Sequence, residues 1–312
     1  MSNSGSKPLS RVARQILIVG LILFVLAPGV RLPIMGQEVV PQQSTSGPFP
    51  PASAKAKEPL PEISALEGVT NTIAGVPGYA WRHGCGPTAV GMVLGYYATH
   101  GFPDLYAGDA STQTESVNQG IASQGSAVRG TGLQLHYEDY ALPDDSGQSS
   151  VSPDSSATYP IGCHVSNSVA DYMHTSWSSD GNFYGWSWSS KVATAFTSYV
   201  IQKNSQYVPQ ANQYYMGSTL TWSVLTNEID HNRPMVFLVD SNGDGSTDHF
   251  VTVVAYSDTP TLQYGCLDTW YPYDQIRWCE FKPMSSSYAW GVWGIAVKLS
   301  MPPAALCRHR DP

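Results

Sequence analysis

The sequence predicts an α+β domain in which a helical N-terminal part packs on a C-terminal antiparallel sheet. Two observations predict this class. Apolar residues recur at helical spacing in the first two thirds of the folded region. The last third instead contains short runs of β-branched and aromatic residues, separated by turn residues.

Four segments have helical patterns, at residues 87–97, 166–174, 191–202 and 221–230. The first opens on a proline, which suits the first turn of a helix. Residues 104–159 are rich in Ser, Gly, Gln and Asp, and they predict a loop-rich insertion. Five later runs predict the strands, at 235–239, 249–256, 265–270, 275–281 and 292–299.

The N-terminus, residues 1–36, has the pattern of an export signal. Lys7, Arg11 and Arg14 precede an apolar run at 16–27, which is shorter than the ~20 apolar residues of a membrane span. Cleavage near Gly36 and retention as an N-terminal anchor both stay open. We therefore expect a secreted or extracytoplasmic protein that touches a membrane only through this segment, if it is uncleaved.

Composition divides the rest of the chain into a linker, a folded domain and a tail, and it argues against a nucleic-acid partner. Residues 37–62 are rich in Pro and Ser and predict a disordered linker, 63–300 predict the folded domain, and 301–312 predict a loose tail. The net charge of −8 gives no electrostatic support for a nucleic-acid partner. We expect a monomer.

Cys85 is the candidate nucleophile. It lies between two glycines in His-Gly-Cys-Gly-Pro, directly before the first predicted helix. The positive end of a helix stabilises a thiolate, and glycines allow a substrate to approach closely. The alternative is a buried structural cysteine.

His249 is the candidate general base. It opens a predicted strand, and a rigid strand holds a base well in front of a nucleophile. The other seven histidines lie next to Cys85, at helix ends, in loops or in the tail. The alternative is a core histidine bonded to a backbone carbonyl.

The segment from Cys85 to Tyr97 (Cys-Gly-Pro-Thr-Ala-Val-Gly-Met-Val-Leu-Gly-Tyr-Tyr) resembles the active-site helix of papain-like bacterial peptidases related to bacteriocin-leader (double-glycine) peptidases. Residues 248–256 (Asp-His-Phe-Val-Thr-Val-Val-Ala-Tyr) are similar to the strand of that family that bears the histidine. The resemblance implies a papain-like fold, a Cys-His-Asp/Asn catalytic set, a peptide or protein substrate and no cofactor for catalysis. It does not imply a leader-peptide substrate, because no transporter segments follow.

The third catalytic residue should follow the histidine on the next strand and accept its ring N–H. Asp268 is placed like the orienting carboxylate of the family, and Asp258 is the alternative. Papain-like enzymes usually carry a glutamine six residues before the nucleophile, which donates to the oxyanion. Tyr79 occupies that position here, and its phenol can donate instead.

The segment 240–248 predicts a structural calcium site. Oxygen-bearing side chains alternate along it, with Gly245 at the sharp turn as in the start of an EF-hand loop; they are Asp240, Asn242, Asp244, Ser246 and Asp248. The closing glutamate is missing, since Val251 stands there. The alternative is a hairpin turn, in which Asp and Gly are common.

All five cysteines follow the predicted signal, so export would permit disulfides, and the odd count leaves at least one thiol. Cys266 and Cys279 flank a predicted hairpin and form the candidate pair.

Three functions stay open on the sequence. The first is an exported cysteine peptidase, the second an inert binding module with the same fold, and the third an acyltransferase that uses the same residues. Specificity is not readable, because its loops fall in the 104–159 insertion.

Overall fold

The computed structural model describes residues 68–122, 167–175, 185, 187–270 and 273–301. The predicted signal, the linker and nearly all of the tail lie outside the described residues, as does most of the 104–159 insertion. The predicted domain boundaries therefore stay predictions. No helix among the described residues is both long and apolar enough to cross a bilayer.

Apart from two short strands, the described helices precede the described strands, which confirms the predicted order. They are α1 (Cys85–Thr99), α2 (Glu115–Ile121), α3 (Val169–Tyr172), α4 (Val192–Lys203) and α5 (Trp222–Asp230). Short 3₁₀ turns at Pro103–Leu105 and Ser189–Lys191 follow α1 and precede α4. Thr221, the first residue of the predicted 221–230 helix, is the N-cap of α5, where its hydroxyl accepts from the Val224 N–H.

The described strands form one antiparallel sheet, except for a few isolated bridges. They are β1 (Thr70–Thr72), β2 (Gln210–Tyr214), β3 (Met235–Asp240), β4 (His249–Ser257), β5 (Gln263–Leu267), β6 (Arg277–Glu280) and β7 (Gly291–Ser300). Their order is β2-β7-β3-β4-β5-β6, and β1 pairs with the far end of β4. Strand β4 is therefore central and buried along its whole length.

Helix α1 packs directly on β4. It is buried from Cys85 to Tyr97, since the other helices cover the faces that the sheet leaves open. Thr252 in the middle of β4 donates to the Ala89 carbonyl of α1 at 2.9 Å. The nucleophile helix is thus held on the sheet, as predicted for this α+β fold.

Four elements differ from the prediction. β1 and β2 were not predicted, because both are polar and lack alternating apolar residues. The strand predicted at 265–270 ends at Leu267, because Thr269 takes a left-handed φ of 66° that a strand cannot continue. Helix α2 lies inside the segment that was predicted to be loop.

Candidate active site

Helix α1 begins at Cys85, and the glycine before it makes this start possible. Gly84 has a φ of 144°, which residues with a side chain rarely adopt. Among the described residues no side chain caps this helix. The N–H groups of its first turn point toward the cysteine end of the helix, where they favour negative charge.

A second segment packs over this turn and closes it. A Cβ on Gly84 would lie 2.9 Å from the Gly185 carbonyl oxygen, and one on Gly86 would lie 2.8 Å from Cε of Met173. Thr175 and Ser187 of the same segment share a buried hydrogen bond of 2.8 Å. We call Met173, Thr175, Gly185 and Ser187 the cover. Beneath it, Cys85 is only 1% exposed.

Strand β4 brings His249 to the cysteine. The histidine is the first residue of β4, and the N–H of the next residue, Phe250, donates to Sγ of Cys85 at 3.3 Å. This bond fixes the sulfur at the start of the strand and adds a donor that stabilises a thiolate. The structure thus brings the predicted nucleophile and the predicted base together.

One hydrogen bond decides the proton arrangement of the imidazole. Nε2 of His249 lies 2.6 Å from the backbone carbonyl oxygen of Asp268. A carbonyl oxygen only accepts, so Nε2 carries the hydrogen and Nδ1 carries the lone pair. Nδ1 is buried and has no hydrogen-bond partner among the described residues. It is therefore the ring nitrogen that can accept a proton.

Two tryptophans enclose the ring. Trp270 stacks on His249 at 3.7 Å between centroids and 15° between planes, and Trp290 meets the ring edge-on at 6.3 Å. The pKa of His249 is lowered to about 3, chiefly by burial; the hydrogen bond to Asp268 opposes this shift and the nearby Arg277 cation adds to it. The imidazole is neutral at rest, as a proton acceptor must be.

Asp268 lies beside the histidine as predicted, but a different atom faces the ring. Its carboxylate accepts from Nε of Arg277 at 2.7 Å and from the Trp270 N–H at 3.0 Å. The sequence predicted a carboxylate on the imidazole, and the structure places the backbone carbonyl there instead. The left-handed backbone at Thr269 turns that carbonyl toward the ring.

Three residues around the histidine were not predicted, namely Trp270, Trp290 and Arg277. Trp270 follows Asp268 by two residues, so its aromatic ring next to a candidate catalytic aspartate was an available signal. Trp290 and Arg277 come from other elements, and only the tertiary fold brings them to the ring.

The structure does not bring Tyr79 to this site. Its hydroxyl donates to the Ala110 carbonyl, and a Cβ on Gly95 would collide with its oxygen. Gly95 is ten residues after Cys85, which is about 15 Å along a helix axis at 1.5 Å per residue. The prediction that Tyr79 donates to the oxyanion is not supported by this geometry.

Asp258 is also remote. It follows the last residue of β4, the opposite end of the strand from His249, where its carboxylate accepts from the Val69 N–H at 2.9 Å. A nine-residue strand is about 30 Å long, so this carboxylate cannot orient the imidazole. Asp268 is the aspartate that the fold brings to the histidine.

Comparison with known families supports the same interpretation. The model of the Peptidase_C39 like family matches residues 73–300, which is most of the chain. The chain belongs to this family. It is accordingly a cysteine-type peptidase with a papain-like fold, and a peptidase of this family acts on a peptide or protein substrate. A comparison with curated proteins gives no match.

The 240–248 loop of the peptidase directs its carboxylates to its own backbone. Asp240 accepts from the N–H groups of Gly243 at 2.6 Å and Gly245 at 2.8 Å. Asp244 accepts from the Ser246 N–H at 2.8 Å. Asp248 accepts from both the N–H and the hydroxyl of Ser241, each at 2.7 Å.

Asn242 takes part in the same network of bonds, since its Oδ1 accepts from the Asp244 N–H at 2.9 Å. Among the described residues no group of three His, Cys, Asp or Glu side chains is placed to hold a metal. Calcium binding by Asp240, Asn242, Asp244, Ser246 and Asp248 stays a prediction.

Cys266 and Cys279 of the peptidase are free thiols, so the predicted bridge is absent. The register explains this. Cys266 is opposite Arg277 and Cys279 is opposite Tyr264, so the two cysteines are diagonal neighbours. The Cα atoms of diagonal positions are about 7–8 Å apart, which is wider than the usual Cα separation of a disulfide. The two thiols still meet, and burial together with a side-chain hydrogen bond from Cys279 raises the pKa of Cys266. Cys163 and Cys307 lie outside the described residues.

Proposed function

We propose that this peptidase cleaves peptide bonds with Cys85 as nucleophile and Nδ1 of His249 as general base. One observation carries the proposal. Nε2 of His249 is bound to the Asp268 carbonyl, while the next residue on the strand is bonded to Sγ of Cys85. The ring is thereby held by one nitrogen, and the other is left for the thiol.

The reaction follows from this arrangement. Nδ1 takes the thiol proton as Sγ attacks the carbonyl carbon of the substrate. The imidazolium then gives that proton to the leaving amine as the C–N bond breaks, which leaves a thioester on Cys85. Water, deprotonated by Nδ1, attacks the thioester, releases the carboxylic acid and restores the thiol.

Backbone groups are the best candidates for holding the oxyanion. The N-cap of α1, Gly84, makes no side-chain cap hydrogen bond, so the N–H groups of the first turn face the site. The ring of Tyr79 instead lies against Gly95, far from that first turn. Preorganised N–H donors of this kind are worth roughly 3–4 kcal/mol each in hydrolases that use them. We therefore assign the oxyanion to the start of α1.

We further propose that the chain acts outside the cytoplasm. Basic residues before the apolar run at 16–27 support export, either with cleavage or with retention as an anchor. Expression in a bacterial host, followed by separation of periplasm, membrane and cytoplasm, tests this. Chain confined to the cytoplasm would contradict it.

The catalytic pair is tested by alkylation of the full chain with low iodoacetamide at several pH values. Cys85 is only 1% exposed, so its absolute labelling rate also includes the step that exposes it. The ratio between wild type and His249→Ala removes that step, provided the two open alike. We expect at least a 10²-fold higher Cys85 labelling rate in wild type. Equal rates would overturn the proposal.

An inert binding module is the second candidate, and the burial of the site favours it. Cys85 is 1% exposed and His249 is fully buried, so a substrate has no direct path in this conformation. Peptide-library digestion decides between the two. Cleavage that Cys85→Ala abolishes supports the peptidase, and binding without cleavage in wild type supports the module.

A further inference from the structure

The ion pair and the cation–π contact of Arg277 are both with residues that border His249. Its Nε lies 2.7 Å from Oδ2 of Asp268, and its guanidinium carbon lies 4.6 Å from the centroid of the Trp290 ring. The side chain is 22% exposed and that of Asp268 is 5% exposed, so the pair is largely shielded from water. In the described part of the chain, neither its ion pair nor its cation–π contact involves Cys85 or the imidazole itself.

Through these contacts Arg277 reaches His249 from two sides. Asp268 supplies the carbonyl that accepts from Nε2, and its carboxylate also accepts from the N–H of Trp270, the residue stacked on the ring. Trp290 forms the edge-on wall. The guanidinium of Arg277 therefore contacts Asp268 and Trp290 directly, and it contacts Trp270 indirectly through the Asp268 carboxylate.

The physical reason for an arginine here is geometric. A guanidinium is planar, so it can bond to a carboxylate in its plane while its face lies on an aromatic ring. A lysine has a single charged centre, and it would have to favour one partner. We propose, building on the catalytic role of His249 above, that Arg277 is a positioning residue that sets the orientation and the proton affinity of the imidazole.

Charge supports the second half of the proposal. The charged and titratable groups around the imidazole are Cys85 on α1, Asp268 after β5 and Arg277 on β6, with Tyr264, Cys266 and Cys279 beside Arg277. The Arg277 cation lowers the pKa of His249. Without the cation, the buried Asp268 either stays ionised or takes up a proton. In both cases the pKa of His249 rises.

The chain offers a matched control. Arg233 also pairs through Nε with a buried carboxylate, Glu228, at 2.5 Å, and their side chains are 23% and 3% exposed. Lys298 also lies 3.3 Å from that glutamate. No described contact joins this pair to the histidine. Arg233→Met therefore removes a comparable ion pair away from the site.

The experiment compares wild type with Arg277→Met, Arg277→Lys and Arg233→Met, each as the full chain. The rate of Cys85 alkylation is measured against pH, with thermal melting alongside. For Arg277→Met we expect a rate loss on the order of 10²-fold, since small displacements of a catalytic group cost this much. We also expect the acidic limb of its curve of alkylation rate against pH to move to higher pH. Arg233→Met should melt earlier but keep the wild-type rate and pH profile.

Arg277→Lys should keep the wild-type pH profile, because it keeps the charge, and recover part of the lost rate. An Arg277→Met rate and pH profile equal to those of Arg233→Met would overturn the proposal. If Arg277→Met does not fold, Arg277→Lys decides, since a fully wild-type rate would contradict the geometric role. A wild-type rate that does not depend on His249 would instead overturn the catalytic assignment, so the two failures are distinguishable.

Discussion

Two polar turns lie next to His249, the first residue of β4. One forms its hydrogen bonds internally, and the other forms them with residues outside the turn. In the 240–248 loop, which precedes His249, the carboxylates accept from the loop itself. In the 268–270 turn, which lies across from His249, the two backbone carbonyls bond outward. That of Asp268 accepts from the imidazole, and that of Thr269 accepts from the Trp81 N–H before the nucleophile.

This difference indicates that the first turn supports the local fold, whereas the second positions the catalytic residues. The 240–248 loop is stabilised internally, and its connection to the site is indirect, through the Trp290 N–H that donates to the Asp240 carbonyl at 2.6 Å. The 268–270 turn instead joins the base to the segment that leads into Cys85. Its strained backbone fits this role, because a left-handed φ at a β-branched residue persists only where surrounding contacts impose it.

The largest expected effect comes from removing one aspartate from each turn. Asp268→Ala leaves Arg277 without its carboxylate, and we expect a cost of about 3 kcal/mol together with a 10²-fold loss in Cys85 labelling, each an order-of-magnitude figure. Asp240→Ala leaves loop N–H groups without an acceptor, at about 2 kcal/mol. It should retain wild-type labelling. Urea unfolding and alkylation measure both, and a catalytic loss in Asp240→Ala would erase the distinction.

Acid should destabilise the protein through its buried histidines. Burial lowers the pKa of both His83 and His249 to about 3. The unfolded chain then binds more protons than the folded chain below about pH 6.5, so stability falls as the pH drops from there toward 3. Burial raises the pKa of Asp240 and Asp268, which acts in the opposite sense.

Urea midpoints at pH 7.5, 5.5 and 4.5 measure this dependence. His249→Phe should flatten the curve, while His231→Phe, at an exposed position, should leave it unchanged. A wild-type midpoint that changes with pH no more than the midpoint of His249→Phe would show that His249 is not buried as a neutral ring.

A smaller effect tests the strain in the 268–270 turn. Thr269 and Thr252 are both buried, but Thr252 has strand geometry and a hydroxyl that donates to Ala89. The hydroxyl of Thr269 has no hydrogen-bond partner among the described residues. Glycine relieves a left-handed backbone, so Thr269→Gly should cost about 2 kcal/mol less than Thr252→Gly. Equal costs in urea unfolding would mean that the turn is unstrained.

Calcium should have the smallest effect. The carboxylates of the 240–248 loop already accept from backbone N–H groups, and these bonds order the loop without an ion. We expect the melting temperature in millimolar calcium to exceed that in chelator by a degree or two at most. A large shift that Asp244→Ala removes would indicate that the loop rearranges around the ion.

The sequence was most informative where the signal was local. The start of α1 at Cys85 depends on neighbouring glycines and a proline, and His249 opens a run of strand-forming residues. Both could be predicted from the sequence. β2 could not, because an edge strand needs no apolar alternation, and its pairing with β7 depends on tertiary contact.

The remaining differences concern atoms more than residues. Asp268 lies next to the imidazole, but which of its oxygens faces the ring depends on the backbone turn at Thr269 and on an arginine nine residues later. Tyr79 was predicted from its distance in sequence to Cys85, but the chain between them carries it toward the middle of α1. Residue type and spacing do not encode either outcome.

The position of the proton on His249 tests the central claim most directly. Nitrogen-15 NMR of the Cys85→Ala protein at pH 7 distinguishes a ring nitrogen that carries hydrogen from one that carries a lone pair, without interference from the thiol. The structure predicts a neutral imidazole with its hydrogen on Nε2, bound to the Asp268 carbonyl, and with Nδ1 unprotonated. A hydrogen on Nδ1 of a neutral ring would contradict the account, because the base would then face away from the nucleophile.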